Sequence, residues 1–71
     1  MLQETSKAIQ HYETAIELNP EKSETYYNLG NAYCVVEKFV EAISVYKKSI
    51  ELDSYNPPAF YNLGNAYYML G

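Results

Sequence analysis

The chain has 71 residues, one domain at most, and a formal charge of −4 in which all five positive charges are lysines. That balance excludes the basic stripe and the arginine clamps by which proteins displace counterions from phosphates, so nucleic acid is not an expected partner. The apolar fraction of 48% fits a folded chain, while the polar first twenty residues exclude a signal-peptide core and no window approaches the ~18 apolar residues of a membrane span.

The first predicted helix runs from about Glu4 to Leu18. Its apolar residues Ala8, Ile9, Tyr12, Ala15 and Ile16 form one stripe, with Lys7, Gln10, Glu13, Thr14 and Glu17 around it. Asn19-Pro20 ends it, because the residue before a proline is pushed out of the α region. A second helix should start at Ser23, which can cap it, and run to about Val36. Wound at about 100° per residue, Tyr26, Leu29, Gly30 and Tyr33 share one side, and Tyr27, Asn28, Asn31, Cys34 and Val35 the other.

The third helix, about Lys38 to Leu52, repeats the first. Ala42, Ile43, Tyr46, Ile50, Glu51 and Leu52 follow Ala8, Ile9, Tyr12, Ile16, Glu17 and Leu18 by 34 residues. Asn56 should cap the fourth helix, about Pro58 to Leu70, with prolines tolerated at its entrance. This helix repeats the second: Phe60, Leu63, Gly64 and Tyr67 on one face, Tyr61, Asn62, Asn65 and Tyr68 on the other. The hexapeptide Asn28-Leu29-Gly30-Asn31-Ala32-Tyr33 recurs unchanged as Asn62-Leu63-Gly64-Asn65-Ala66-Tyr67. Such a period marks a repeat architecture, in which each unit buries its apolar face by stacking on its neighbours.

The period, the two alternating helix types and the aromatic-x-x-Leu-Gly-x-x-Tyr run (Tyr26, Leu29, Gly30, Tyr33), followed by Ala42 and Tyr46, resemble the tetratricopeptide repeat. The resemblance covers the whole chain. It implies an all-α, right-handed superhelical array of antiparallel helix pairs, in the order B-A-B-A. Residues 1–22 form helix B of a truncated repeat, 23–56 a complete repeat, and 57–71 helix A of another. Three positions depart from the pattern: Ser49 replaces an alanine, Glu37 the turn glycine and Ser54 the proline. Close helix packing needs small residues at the crossing, and Gly30 is expected to face Ala42 there.

In this family the A helices line a concave groove that takes an extended peptide or a partner's helix. The resemblance therefore assigns Tyr27, Asn28, Asn31, Cys34 and Val35, with Tyr61, Asn62, Asn65, Tyr68 and Met69, to the groove or its edge. An asparagine amide both donates and accepts, so it can pair with an extended backbone whatever its side chains. At the 34-residue spacing, Asn28/Asn62 and Asn31/Asn65 would form two ladders. Some family members clamp a terminal carboxylate with lysines and an arginine; here the comparable positions hold Tyr27, Tyr61, Pro58 and Asn62, and only Asn31 survives from that set.

Other chemistry finds little support. Cys34 is the single cysteine, which rules out an internal disulfide and a cysteine zinc site. The lone His11 has no partner at ligand spacing, and Glu13/Glu17 and Glu37/Glu41 lie on solvated faces, so no catalytic residue, metal or cofactor is expected. RNA-binding helical repeats are basic and one residue longer in period. The expectation is thus a non-catalytic, cytoplasmic or nuclear module for protein or peptide binding. The alternative is a self-assembling fragment: the chain begins on a lone B helix and ends on a lone A helix, so copies could stack head to tail into an open homo-oligomer.

Overall fold

The computed structural model describes residues 2–71. It consists of α1 (Leu2–Leu18), α2 (Ser23–Val35), α3 (Phe39–Leu52) and α4 (Pro57–Leu70). Among the described residues there is no strand. Consecutive helices pack on one another, and α2 also touches α4, so α2 meets all three other helices. This is the expected all-α array of stacked helix pairs.

The ends of the elements follow from local chemistry. Asn56 caps α4 as anticipated, its Oδ1 accepting from the Ala59 N–H at 3.2 Å, with Pro57 and Pro58 in the first turn. Ser23 does not cap α2. The capping position is Lys22, which makes no side-chain bond. Ser23 is instead drawn into tertiary structure: its hydroxyl donates to the Ser49 carbonyl at 2.9 Å, and the Ser49 hydroxyl donates to the Ser23 carbonyl at 3.0 Å. This reciprocal clasp joins the start of α2 to the end of α3. It also accounts for the serine where alanine was expected, because Ser49 is fully buried and needs partners for its hydroxyl.

At the other end of α2, Lys38 N–H bonds to the Tyr33 carbonyl at 2.8 Å and Glu37 N–H to the Cys34 carbonyl at 3.0 Å. This pair of bonds closes the helix with one left-handed residue. That residue is Glu37, at φ 63°, so the chain places a glutamate where the turn geometry favours glycine. The α1–α2 connection is closed by the Tyr26 hydroxyl, which donates to the Pro20 carbonyl at 2.7 Å. Tyr33 Oη donates to Glu13 Oε2 at 3.0 Å and ties α2 back to α1.

The core joins Ala42, Ile43 and Tyr46 of α3 to Ala66 of α4, with Tyr27, Tyr33, Cys34, Phe39 and Leu63 packed around them. Tyr26, Leu29 and Gly30 are buried as the helical pattern predicts. The partner at the crossing is a correction. A Cβ on Gly30 would lie 2.5 Å from the Tyr46 ring, so the missing side chain makes room for that ring, and Tyr46 rather than Ala42 is the nearest neighbour. The second glycine differs: among the described residues, nothing beyond its neighbours and its own helix backbone lies within 4 Å of a Cβ built on Gly64. Of the α4 residues that repeat the buried face of α2, Phe60 at 51% and Tyr67 at 46% exposure are open, while Leu63 packs against the core.

Two substitutions test this account by opposite signs in denaturant unfolding. Gly30→Ala should destabilise the chain by ~1–3 kcal/mol, because the ring beneath it is held on both sides. Glu37→Gly should stabilise it by about 1 kcal/mol by removing the left-handed penalty.

Candidate functional site

Helices α2 and α4 are both of the A type and lie side by side, which brings their repeated faces together. Between them is a small pocket of about 210 Å³ lined by Asn31, Cys34, Tyr46, Asn62 and Asn65. No charged side chain lines it. Four of its five residues were anticipated from sequence; Tyr46 was read only as the aromatic of the third helix's repeat pattern.

The asparagines are organised by hydrogen bonds. Asn31 Oδ1 accepts from the Tyr46 hydroxyl at 2.5 Å and from Asn62 Nδ2 at 3.0 Å. Asn62 Nδ2 also donates to the Tyr27 hydroxyl at 3.3 Å. The rings of Tyr27 and Tyr46 stand beneath this network with centroids 6.2 Å apart and planes tilted by 51°. Cys34 Sγ lies 3.7 Å from the Tyr46 hydroxyl. The direct asparagine pair is thus Asn31–Asn62, from different turns of the two helices. The cause is the stagger of α2 against α4, which sets the later asparagine of one motif beside the earlier asparagine of the next.

These bonds fix the amides without exhausting them. The network uses the Asn31 carbonyl twice and the Asn62 nitrogen twice. It does not engage the Asn31 nitrogen or the Asn62 carbonyl, which leaves one donor group and one acceptor group for another molecule. Burial is the main cause that raises the Tyr46 pKa above the ordinary tyrosine range, followed by the hydrogen bond and charge of Cys34. Its phenol therefore stays a neutral donor well beyond physiological pH.

The remaining anticipated residues lie elsewhere. Asn28 and Val35 line a second, larger groove between α1 and α2, which Asn31 also borders. Tyr27 supports the small pocket from below through Asn62. Tyr61 and Tyr68 project from α4 at 71% and 84% exposure, and Met69 is also exposed. The residue missed from sequence, Tyr46, carried a usable signal: a buried phenol requires a partner for its hydroxyl, and a phenylalanine would not. Among the described residues no three His, Cys, Asp or Glu side chains cluster as a metal site requires, and no helix is long and apolar enough to cross a membrane.

With this geometry in view, comparison with known families is decisive. The TPR repeat family matches residues 2–34 and 37–71. The chain belongs to the tetratricopeptide repeat family. No curated protein gives a significant match. TPR repeats mediate protein–protein interaction, and TPR helix packing explains why the two Asn-Leu-Gly-Asn-Ala-Tyr motifs line a common face.

Alkaline titration checks the tyrosine environments of this TPR unit. Burial, then the hydrogen bond to Glu13, pushes the Tyr33 pKa up to about 12 from 10.0. A phenol with a raised folded pKa stabilises the fold fully below the unfolded pKa and loses that contribution as pH rises through the folded value. Unfolding free energy should therefore be insensitive to Tyr33 and Tyr46 below pH 10 and fall between about pH 10 and 12 as the Tyr33 contribution is lost, with Tyr46 carrying the fall to higher pH. In phenolate absorbance, Tyr33→Phe and Tyr46→Phe should each remove part of the late-titrating fraction.

Proposed function

We propose that this chain is a non-catalytic interaction module whose α2–α4 face binds an extended peptide or partner segment. The observation that carries this reading is that the mutually bonded amides of Asn31 and Asn62 leave the Asn31 nitrogen and the Asn62 carbonyl unengaged. Both amides are held by Tyr46 and Tyr27, so their orientation costs little when a ligand arrives. A donor and an acceptor on two linked amides suit the alternating C=O and N–H of an extended backbone.

The neutral lining favours a backbone over a carboxylate or phosphate as the group recognised. Tyr61 and Tyr68 extend the face with exposed aromatic area, and Asn65 adds another amide at the pocket's edge. Cys34 and Tyr27 border the binding surface, and Asn28 continues it toward α1. The lone half-buried thiol of Cys34 fits a reducing compartment such as the cytoplasm or nucleus.

A second reading, end-to-end assembly of copies, is favoured by one specific observation. On the face of α4 that corresponds to the buried face of α2, Phe60 and Gly64 are exposed and Tyr67 is half-exposed with Lys47 Nζ 5.7 Å from its ring centroid, while Leu63 packs against the core.

A peptide-array screen with the 71-residue chain tests the first reading. Asn65→Ala and Tyr61→Ala alter exposed positions, so circular dichroism should be unchanged while peptide binding weakens by about fivefold or more, roughly the worth of a lost hydrogen-bonding or aromatic contact. Equal binding by the parent and both variants would refute the groove assignment.

A further inference from the structure

The hydrogen-bonded set at the centre of the molecule occurs a second time in the sequence, divided between its two ends. Tyr46 and Asn62 recur 34 residues earlier as Tyr12 and Asn28, while Tyr27 and Asn31 recur 34 residues later as Tyr61 and Asn65. All four residue types are identical. The crossing glycine behaves likewise, Gly30 recurring as Gly64. In the central set, Tyr27, Gly30 and Asn31 belong to α2, and the side chains that receive them belong to α3 and α4. In the divided set, Tyr61, Gly64 and Asn65 lie exposed on α4, while Tyr12 and Asn28 stand on α1 and α2.

The receiving half has the shape of a seat. A groove of about 460 Å³ between α1 and α2 is lined by Thr5, Ala8, Tyr12, Asn28 and Ala32, among others. Advanced by 34 residues, these become Phe39, Ala42, Tyr46, Asn62 and Ala66. Ala42, Tyr46 and Ala66 are core residues, Phe39 packs against them, and Asn62 bonds to α2. The groove is therefore a second version of the surface on which α2 rests, and its occupant must offer tyrosine, glycine and asparagine at the spacing of Tyr27, Gly30 and Asn31.

We propose that the groove between α1 and α2 seats helix α4 of a second copy of this chain. The proposal rests on the second reading above and supplies its register. Tyr12 of one copy lies against Gly64 of the other, its hydroxyl donating to Asn65 Oδ1. Asn28 Nδ2 donates to the same oxygen and to the Tyr61 hydroxyl. The contact continues the α2–α4 interface already formed inside each chain. Because α4 carries no charged residue, it brings no like charge to Glu4 at the groove's edge. The two surfaces involved are different, so the contact is heterologous and adds copies in one direction.

Gly64 makes the test sharp. In the isolated chain a side chain there meets open space, so Gly64→Leu should keep or raise helicity and the midpoint of thermal unfolding. In the seat the same side chain would strike Tyr12, as a Cβ on Gly30 would strike Tyr46, and association should weaken about tenfold or more. Sedimentation over a concentration series should show mass rising for the parent chain and much less for Gly64→Leu. Ala8→Leu, checked for unchanged helicity, should block the groove from the other side. Each variant keeps the surface that the other lacks, so an equimolar mixture should form a dimer that grows no further. A parent chain that remains monomeric at millimolar concentration overturns the end-to-end reading together with this seat. Self-association that Gly64→Leu leaves unchanged, or a mixture that behaves as its separate components, overturns the seat alone. Peptide binding to the dilute monomer, through the Asn31–Asn62 pair inside one chain, is read separately from association.

Discussion

The structure depends on the contact between Gly30 and the ring of Tyr46. With no Cβ on Gly30, the ring lies directly against the α2 backbone, which fixes the spacing of the central helix pair. The same approach delivers the Tyr46 hydroxyl to Asn31. One absent side chain thus sets the packing distance and also places the polar group that organises the neighbouring face. A glycine within a helix costs roughly 1 kcal/mol relative to alanine, and the buried ring more than offsets this by removing apolar area from water and satisfying its hydroxyl.

Polar groups hold much of this small interior together, and they do so in linked sets. Ser23 and Ser49 satisfy each other across α2 and α3, and Tyr46, Asn31, Asn62 and Tyr27 are joined across α2, α3 and α4, with the Asn31 nitrogen and the Asn62 carbonyl left over. Among the described residues no buried side-chain nitrogen or oxygen lacks a partner. That completeness matters because an unpaired buried polar group costs as much as several apolar contacts return. It also makes the helices specific about register, since sliding α4 along α2 would break the Asn31–Asn62 pair.

The fold was almost fully legible in the sequence, because a 34-residue period with small and aromatic residues at fixed places admits few packings. What escaped was which side chains meet. The identity of Gly30 announced a close crossing, but not that a ring from the next turn of α3 would fill it in preference to Ala42. Ser23 looked like a cap because serine at a helix start commonly is one; a tertiary partner with a buried hydroxyl won the competition. The candidate groove was legible as a set of residue types on one face. Its pairing was not, since Asn31 meets Asn62 only through the stagger between α2 and α4, and a helical wheel contains no stagger. Glu37 shows the reverse case, where the backbone of the turn was predictable and the residue occupying it was the anomaly.

Under the proposed function, stacking chemistry and recognition chemistry would be carried by the same side chains. An asparagine at the Asn31 position uses its carbonyl to lock one repeat to the next and keeps its nitrogen for the face above. Its orientation is therefore a consequence of having a neighbour. Asn65 has the same surroundings in sequence but no following repeat among the described residues, and it stands exposed. A preorganised amide exists only where two units have met, so the number of ordered recognition groups grows with the number of interfaces formed. Any helix that completes the set around Asn65, whether from the same chain or from another copy, would create a further ordered donor on the same face. If both proposals hold, assembly and binding are linked: what favours the stacked state also orders the groups that a peptide would use, and a peptide spanning two units would in turn favour the stack.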